Sequence, residues 1–347
     1  MRRFEMLLCA LLFLLILLGP ISAAQAIDID VFLGRWALYV PNGGSWLHIY
    51  KQGDGPGKFH LEAELLWYGG SVTPLVPRAD IEDEDTLVVY RTSTVVTERD
   101  ANGKVLKSHT AINRLEFKLN GLDRMTGKYI ESGRNGIGAR ITEIKAKRIP
   151  PLPPAPDLSK VTYGDPVTLF AEKSDWKPTR ARARTAFDFD DNGFLVNNPV
   201  QPENGARVHY GNIQSIQEFE DFRLTLEVNV PAHSNSGVYL KGIYEVQVSD
   251  SYGRSLDSHN MGALYSRITP TVAAEKPAGQ WQTMDITLCD RHATVILNGI
   301  KIIDNQPLLG VTGGNLTPDE FSPGPIYLQG DHGKVMYRNI VLHPIIK

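Results

Sequence analysis

The sequence predicts an all-β protein: a small antiparallel barrel or sandwich, then a larger jelly-roll sandwich. Three observations lead there. Apolar and polar residues alternate with a period of two in run after run, as strands with one buried face do. Glycine (31) and proline (22) are scattered along the 347 residues, which suits short strands and turns better than long helices. Finally, residues 149–157 read IPPLPPAPD. Proline fixes φ and removes an N–H donor, so this stretch is expected to be a stiff extended linker, long enough to hold two bodies apart.

The first segment, residues 1–26, reads as a signal peptide. Arg2 and Arg3 form a positive start, residues 6–18 are an almost unbroken apolar run, and Ala24-Gln25-Ala26 supplies a small-x-small cleavage pattern. The run is short of the roughly 20 residues a bilayer core needs, so a cleaved signal fits better than an anchor. Export to the periplasm or the exterior is therefore expected, with no membrane span after cleavage. With 36 basic and 39 acidic residues the net charge is −3, which excludes a strongly basic nucleic-acid binder and a polyacidic tail. Cys9 leaves with the signal and Cys289 is left alone, so the fold must rely on its cores. Cys289 sits one step off the alternation Met284, Ile286, Leu288 and reads as a packed thiol rather than a nucleophile.

Residues 28–148 form the first predicted unit. Residues 61–67 and 86–96 are rich in strand formers, and Asn102-Gly103, Asn120-Gly121 and Asn135-Gly136 mark turns. Ile112, Leu115, Phe117 and Leu119 mostly alternate with polar residues, as in a half-buried strand. Gly34-Arg35-Trp36 resembles the Gly-x-Trp opening of lipocalin-type barrels. The larger share goes to a small barrel or sandwich without a ligand. Arg35, Arg114, Arg124 and Arg140 either line a pocket or solvate its surface.

Residues 158–347 form the second unit. In 222–230 the residues Phe222, Leu224, Leu226, Val228 and Val230 share one face, opposite Arg223, Thr225, Glu227 and Asn229. Further strands are expected at 238–240, 244–248, 284–288, 293–297, 326–328 and 335–342, with Asn298-Gly299 closing a hairpin. Only 261–268 has room for a helical turn. Eight or more short strands, each with one apolar face, imply two sheets packed face to face.

The same strands carry a family resemblance. The runs Asn235-Ser236-Gly237-Val238-Tyr239-Leu240-Lys241-Gly242 and Tyr244-Glu245-Val246-Gln247-Val248-Ser249-Asp250-Ser251-Tyr252-Gly253 are similar to the 3-keto-disaccharide hydrolase domain family. So are Gly262-Ala263-Leu264-Tyr265, Val295-Ile296-Leu297-Asn298-Gly299 and Leu328-Gln329-Gly330-Asp331-His332-Gly333. The motifs run in order over roughly 165–345 and say nothing of 28–148. The resemblance implies a concanavalin-like sandwich acting on glycosides oxidised to a ketone at C3. That ketone acidifies the C2 hydrogen, so a base can form an enolate that expels the C1 substituent. Water added to the enone completes a net hydrolysis. The route needs a base near C2 and donors at the C3 oxygen.

Strand parity supplies the candidates. Glu245 and Gln247 lie opposite Tyr244, Val246 and Val248, and so project from the sheet when the apolar set enters the core. Tyr239 and Lys241 share a face of the preceding strand, while Gln329 and the turn Asp331-His332 are placed to lean over the same surface. Glu245 or His332 is expected to take the C2 proton, and Asp250 completes the candidate catalytic set. Lys241 and Gln247 steady the enolate or bind hydroxyls, Tyr265 stacks on the sugar, and Tyr239, Gln329 and Asp331 complete the binding set. Each has a plainer use: Glu245 with Lys241 as a solvated cross-strand pair, Asp250 as a turn former, Tyr265 as core. No HExxH or H-x-H pattern occurs, so zinc is not indicated and no cofactor is expected. Calcium held by loop carbonyls and Asp side chains stays open.

Two other functions compete. The spacing Glu245, Gln247, Asp250 is similar to the Glu-x-Asp-x-x-Glu strand of laminarinase-type glycoside hydrolases. It lacks the middle acid, which puts the paired carboxylates of that chemistry, about 5–5.5 Å apart, in doubt. The other is a non-catalytic carbohydrate-binding or envelope-assembly module, since sandwiches of this kind serve both ends. In every case the expected partner is an oligosaccharide or glycoside.

Overall fold

The computed structural model describes residues 29–346, apart from 56–57, 71–74, 84 and 134–137. The expected signal segment, Cys9 and the turn expected at Asn135-Gly136 lie outside the described residues.

The first unit is a closed up-and-down barrel. Its strands are β1 (Gly34–Val40), β2 (Gly43–Gly55), β3 (Lys58–Leu66), β4 (Arg78–Glu82), β5 (Thr86–Arg99), β6 (Val105–Leu119), β7 (Arg124–Ser132) and β8 (Ala139–Arg148). Each pairs with the next, and β8 returns to β1, so no sheet edge is left open. Trp36 of the Gly-x-Trp opening is fully buried and its indole N–H donates to the Phe32 carbonyl at 2.9 Å. The Arg148 guanidinium lies over the Trp36 ring, 4.1 Å from its centroid, and donates to the carbonyls of Leu33 and Val31. First strand, last strand and the preceding turn are thereby tied together. In β6 the inward face is Ala111, Asn113, Leu115 and Phe117, while Ile112 is exposed. Counting Ile112 with Leu115 breaks the strand's parity, and parity decides. Arg114 bridges to Glu82 and Glu116, and Arg124 is an exposed neighbour of Asp123, so both serve the surface.

The second unit is a two-layer sandwich. Its strands begin with β9 (Thr162–Tyr163), β10 (Val167–Thr168), β11 (Trp176–Pro178), β12 (Phe187–Phe189), β13 (Leu195–Asn197), β14 (Ile213–Phe219) and β15 (Phe222–Asn229). They continue with β16 (Asn235–Leu240), β17 (Tyr244–Ser249), β18 (Trp281–Cys289), β19 (His292–Leu297), β20 (Ile300–Pro307), β21 (Gly324–Leu328) and β22 (Val335–Ile346). One sheet runs β12-β13-β22-β15-β18-β19-β20, with β9 and β10 also on β22; the facing sheet runs β11-β14-β21-β16-β17. Phe222, Leu224, Leu226 and Val228 enter the core between them, as their alternation requires. Cys289 ends β18 and is buried.

One expectation is sharpened and one changes. Residues 261–268 hold a single turn and no helix. Their backbone is bonded to the free edge of β17 (Gln247 N–H to Ala263 O at 2.9 Å, Tyr265 N–H to Glu245 O at 2.9 Å), while the N–H groups of Arg267 (2.8 Å) and Ile268 (2.9 Å) both donate to Leu264 O, a single turn that left-handed Ser266 (φ 60°) keeps from continuing as a helix. The proline segment does not hold two bodies apart. Prolines have no N–H but keep their carbonyls, and Arg291 donates to the Pro150 and Pro151 oxygens while Asn305 donates to that of Pro156. The segment lies along the sandwich, and Ala37, Trp46, Leu66 and Ile149 join the sandwich's own hydrophobic cluster.

The joint between the units is built on residues 310–320. A Cβ on Gly44 would lie 2.4 Å from the Pro318 nitrogen, so only glycine lets the β1–β2 hairpin approach this loop. Asn315 donates to the Gly44 carbonyl at 3.2 Å, and Arg267 donates to Gly69 O at 2.8 Å and Val311 O at 2.7 Å.

Candidate active site

The β16–β17 hairpin sets the site. Its register pairs Asn235 with Ser249, Gly237 with Gln247 and Tyr239 with Glu245. Val238, Leu240, Val246 and Val248 enter the core, so by parity Tyr239, Glu245, Gln247 and Ser249 face the other way. On β21 the same rule sends Ile326 and Leu328 inward and Tyr327 outward, with Gln329 following. Tyr327 lies beside Tyr239 and the two rings stack at 3.8 Å. These outward side chains line a cleft of about 990 Å³. Loops and the barrel close over it so far that Glu245 and Gln247 are each only 3% exposed.

Glu245 is the most perturbed acid in the cleft. Its Oε2 accepts from the Tyr239 hydroxyl at 2.8 Å, and its backbone N–H donates to Thr312 Oγ1 at 2.9 Å. Burial pushes the carboxyl up to about 8; Tyr239 and His332 offset part of this and Asp331 adds to it. The group is therefore mostly protonated at neutral pH. Gly237 makes the space, since a Cβ there would lie 2.4 Å from Glu245 Oε1. Burial also drives the phenols of Tyr239 and Tyr327 well above the usual tyrosine range, so both stay protonated.

His332 lines the same cleft. Its Nδ1 is 2.7 Å from Asp331 Oδ1, and that bond raises the imidazole above its ordinary value. Burial pushes Asp331 up, but the imidazole beside it leaves the carboxyl below its usual range. The loop is clamped at Gly333, whose N–H donates to Asn235 O at 3.1 Å and where a Cβ would lie 2.3 Å from Ser234 Oγ. Gln329 lines the cleft, and its buried side-chain oxygen has no partner among the described residues. Tyr265 sits edge-on to His259 at 4.9 Å, and both line the cleft.

Thus Glu245, Gln247, Tyr239, Tyr265, Gln329, Asp331 and His332 come together. Lys241 and Asp250 do not. Lys241 has left β16 for a left-handed turn position (φ 56°), which ends the parity it shared with Tyr239. Its ammonium is buried against Glu220 Oε1 (2.7 Å) and the Glu320 carbonyl (3.2 Å), so it is no solvated partner of Glu245. Asp250 accepts from the His233 N–H at 2.9 Å, which ties it to the 231–234 turn outside the cleft rather than to a turn of its own. The laminarinase-like spacing therefore supplies one carboxylate, Glu245, to the cleft. Tyr327 escaped the sequence reading although it stands two residues before Gln329 on one strand face. Tyr39, Asn42 and Tyr68 of the barrel also line the cleft, and no local pattern in the sequence announces them.

Residues 165–343, just over half of the chain, match the family described as the 3-keto-alpha-glucoside-1,2-lyase-like domain. The chain belongs to this family. Membership places it among carbohydrate-active proteins, and every cleft residue of the sandwich named above lies in the matched span, while the barrel lies outside it. Among solved structures, a Parabacteroides distasonis protein provisionally named a glycosyl hydrolase is 28% identical, with 57% of this chain and 94% of that one covered at a TM-score of 0.42. A second protein of that organism with the same provisional name is 24% identical, covering 49% and 98% at 0.36. The carbohydrate binding module CBM66 from Bacillus subtilis is 11% identical, covering 48% and 93% at 0.31. No curated protein matches the chain.

Proposed function

We propose that this chain is an exported enzyme that cleaves 3-keto-glycosides by removing the C2 proton and eliminating the C1 substituent. One observation carries the reading: a buried carboxyl raised to about 8 and a carboxylate-held imidazole line one cleft on the family's own strands. In this scheme neutral His332 takes the C2 proton, with Asp331 fixing the ring and stabilising the imidazolium that forms. Electrons from the C2–H bond move to the C3 oxygen. Glu245, protonated on Oε1 because Oε2 accepts from Tyr239, donates to that developing oxyanion. The enolate then collapses, the C1–O bond breaks, and the leaving oxygen takes the proton from the His332 imidazolium, which returns to its neutral form. Water adds to the enone at C1 and gives the free 3-keto sugar. Gln247 and Gln329 bind sugar hydroxyls, and Tyr265 offers a ring to stack against.

The test is turnover of an oxidised disaccharide by the mature chain and by Glu245→Ala and His332→Ala. Removal of one oxyanion donor or one general base lowers rates by about 10²–10⁴. Wild-type turnover in both variants would refute the assignment. Export is part of the same proposal, and N-terminal sequencing of the chain recovered outside the cytoplasm would show whether it is cut after Ala26.

A further inference from the structure

We infer that the rim of the N-terminal barrel is a carbohydrate subsite, so that the cleft takes an oligosaccharide whose second ring lies on Tyr68. The inference takes the cleft to be the sugar site proposed above, but does not depend on its chemistry.

Strand register gives the cleft its direction. Asn235, Ser249 and His332 lie towards one end, Gln247 in the middle and Glu245 with Tyr239 further on. Past them the 310–320 loop meets the barrel, and Tyr39, Asn42 and Tyr68 close that end. At about 990 Å³ the cleft is at the top of the range for small-molecule sites, about 300–1,000 Å³. One pyranose ring over Gln247 and Glu245 leaves the barrel end open for another.

The barrel end is built to display an aromatic ring. Tyr68 holds a left-handed backbone (φ 53°), uncommon for an aromatic residue, yet its side chain stays 40% exposed at the lip. Several contacts enforce this. The Tyr68 N–H donates to the buried Ser45 Oγ at 2.9 Å, and its hydroxyl donates to the Pro41 carbonyl at 3.2 Å. Next to it Gly69, also left-handed, is pressed so close to Thr312 that a Cβ would lie 2.3 Å from that carbonyl oxygen. Gly43 lies under the Tyr68 ring, and Asn42 (φ 64°) presents an amide at the adjacent turn. A fixed ring beside an amide suits a pyranose, whose C–H face stacks while its hydroxyls take hydrogen bonds.

The test is calorimetric titration of the full chain with methyl glucoside and with unoxidised gluco-oligosaccharides of two and three rings in both anomeric linkages. Wild type is expected to gain at least tenfold in affinity from the second ring in one linkage. Tyr68→Ala and Asn42→Gly, the latter free of backbone strain, are expected to lose most of that gain and keep one-ring affinity. Melting curves check that both variants fold. An undiminished gain in both variants, or no gain in wild type, overturns the inference. Turnover of an oxidised disaccharide is scored separately: cleavage without the two-ring gain sinks the subsite alone, and the gain without cleavage sinks the proposed chemistry alone.

Discussion

The Tyr239 hydroxyl lies 2.8 Å from Glu245 Oε2 and 2.7 Å from the Gly313 carbonyl, so one phenol joins the carboxyl of the β17 strand to the loop that meets the barrel. Its single proton lowers the Glu245 pKa against the larger effect of burial. Tyr239→Phe removes that donor. The Glu245 titration is then expected to move above 8, and the alkaline limb of kcat/KM to move up with it. A limb left in place would assign it to another group.

The pH profile itself has a defined shape. His332 must be neutral to act as base and Glu245 protonated to act as donor. Activity should therefore rise through a pKa above 6.5 and fall near 8. Asp331→Asn removes the negative charge that helps raise His332, so the acid limb should shift to lower pH while the maximum rate falls. If Glu245 were instead the base, activity would climb through about 8 with no fall there.

Gly237→Ala places a methyl 2.4 Å from Glu245 Oε1, inside contact distance. The carboxyl must turn away, at a cost of about 1–3 kcal/mol if the sheet resists. Catalytic loss well beyond any change in melting temperature is expected. Pairing the change with Glu245→Asp, which shortens the side chain, should recover part of the stability.

Burial of Glu245 also has a consequence for stability. Its folded pKa of about 8 lies above the unfolded value of 4.5, so the folded state holds the proton more tightly. The resulting stabilisation is complete below 4.5 and is lost as pH rises through about 8. It amounts to a few kcal/mol in order of magnitude. Glu245→Gln has no proton to lose, so its melting temperature should fall less than wild type's between those pH values. Parallel curves would contradict a buried, proton-bearing Glu245.

Parity made much of this site readable in advance. Glu245 and Gln247 had to leave the core once Val246 and Val248 entered it, and the sandwich followed from repeated alternation. Where the backbone leaves the extended state, parity stops. Lys241 in its left-handed turn and Asp250, just past the end of β17 and bonded to His233, were misplaced for that reason. The deep burial of Glu245 was hidden as well, because the covering loops come from residues some seventy positions away. Tyr68 reaches the cleft through the packing of Gly69 and the β1–β2 hairpin against residues 310–320. That contact is tertiary and leaves no local pattern.

The most direct measurement is proton exchange at sugar C2: the mature chain incubated in deuterated water with oxidised and unoxidised disaccharides. Deuterium is expected at C2 of the oxidised sugars alone, and the exchange should collapse in His332→Ala. Cleavage that leaves C2 fully protiated, or exchange at the wild-type rate without His332, would contradict an enolate formed in this cleft.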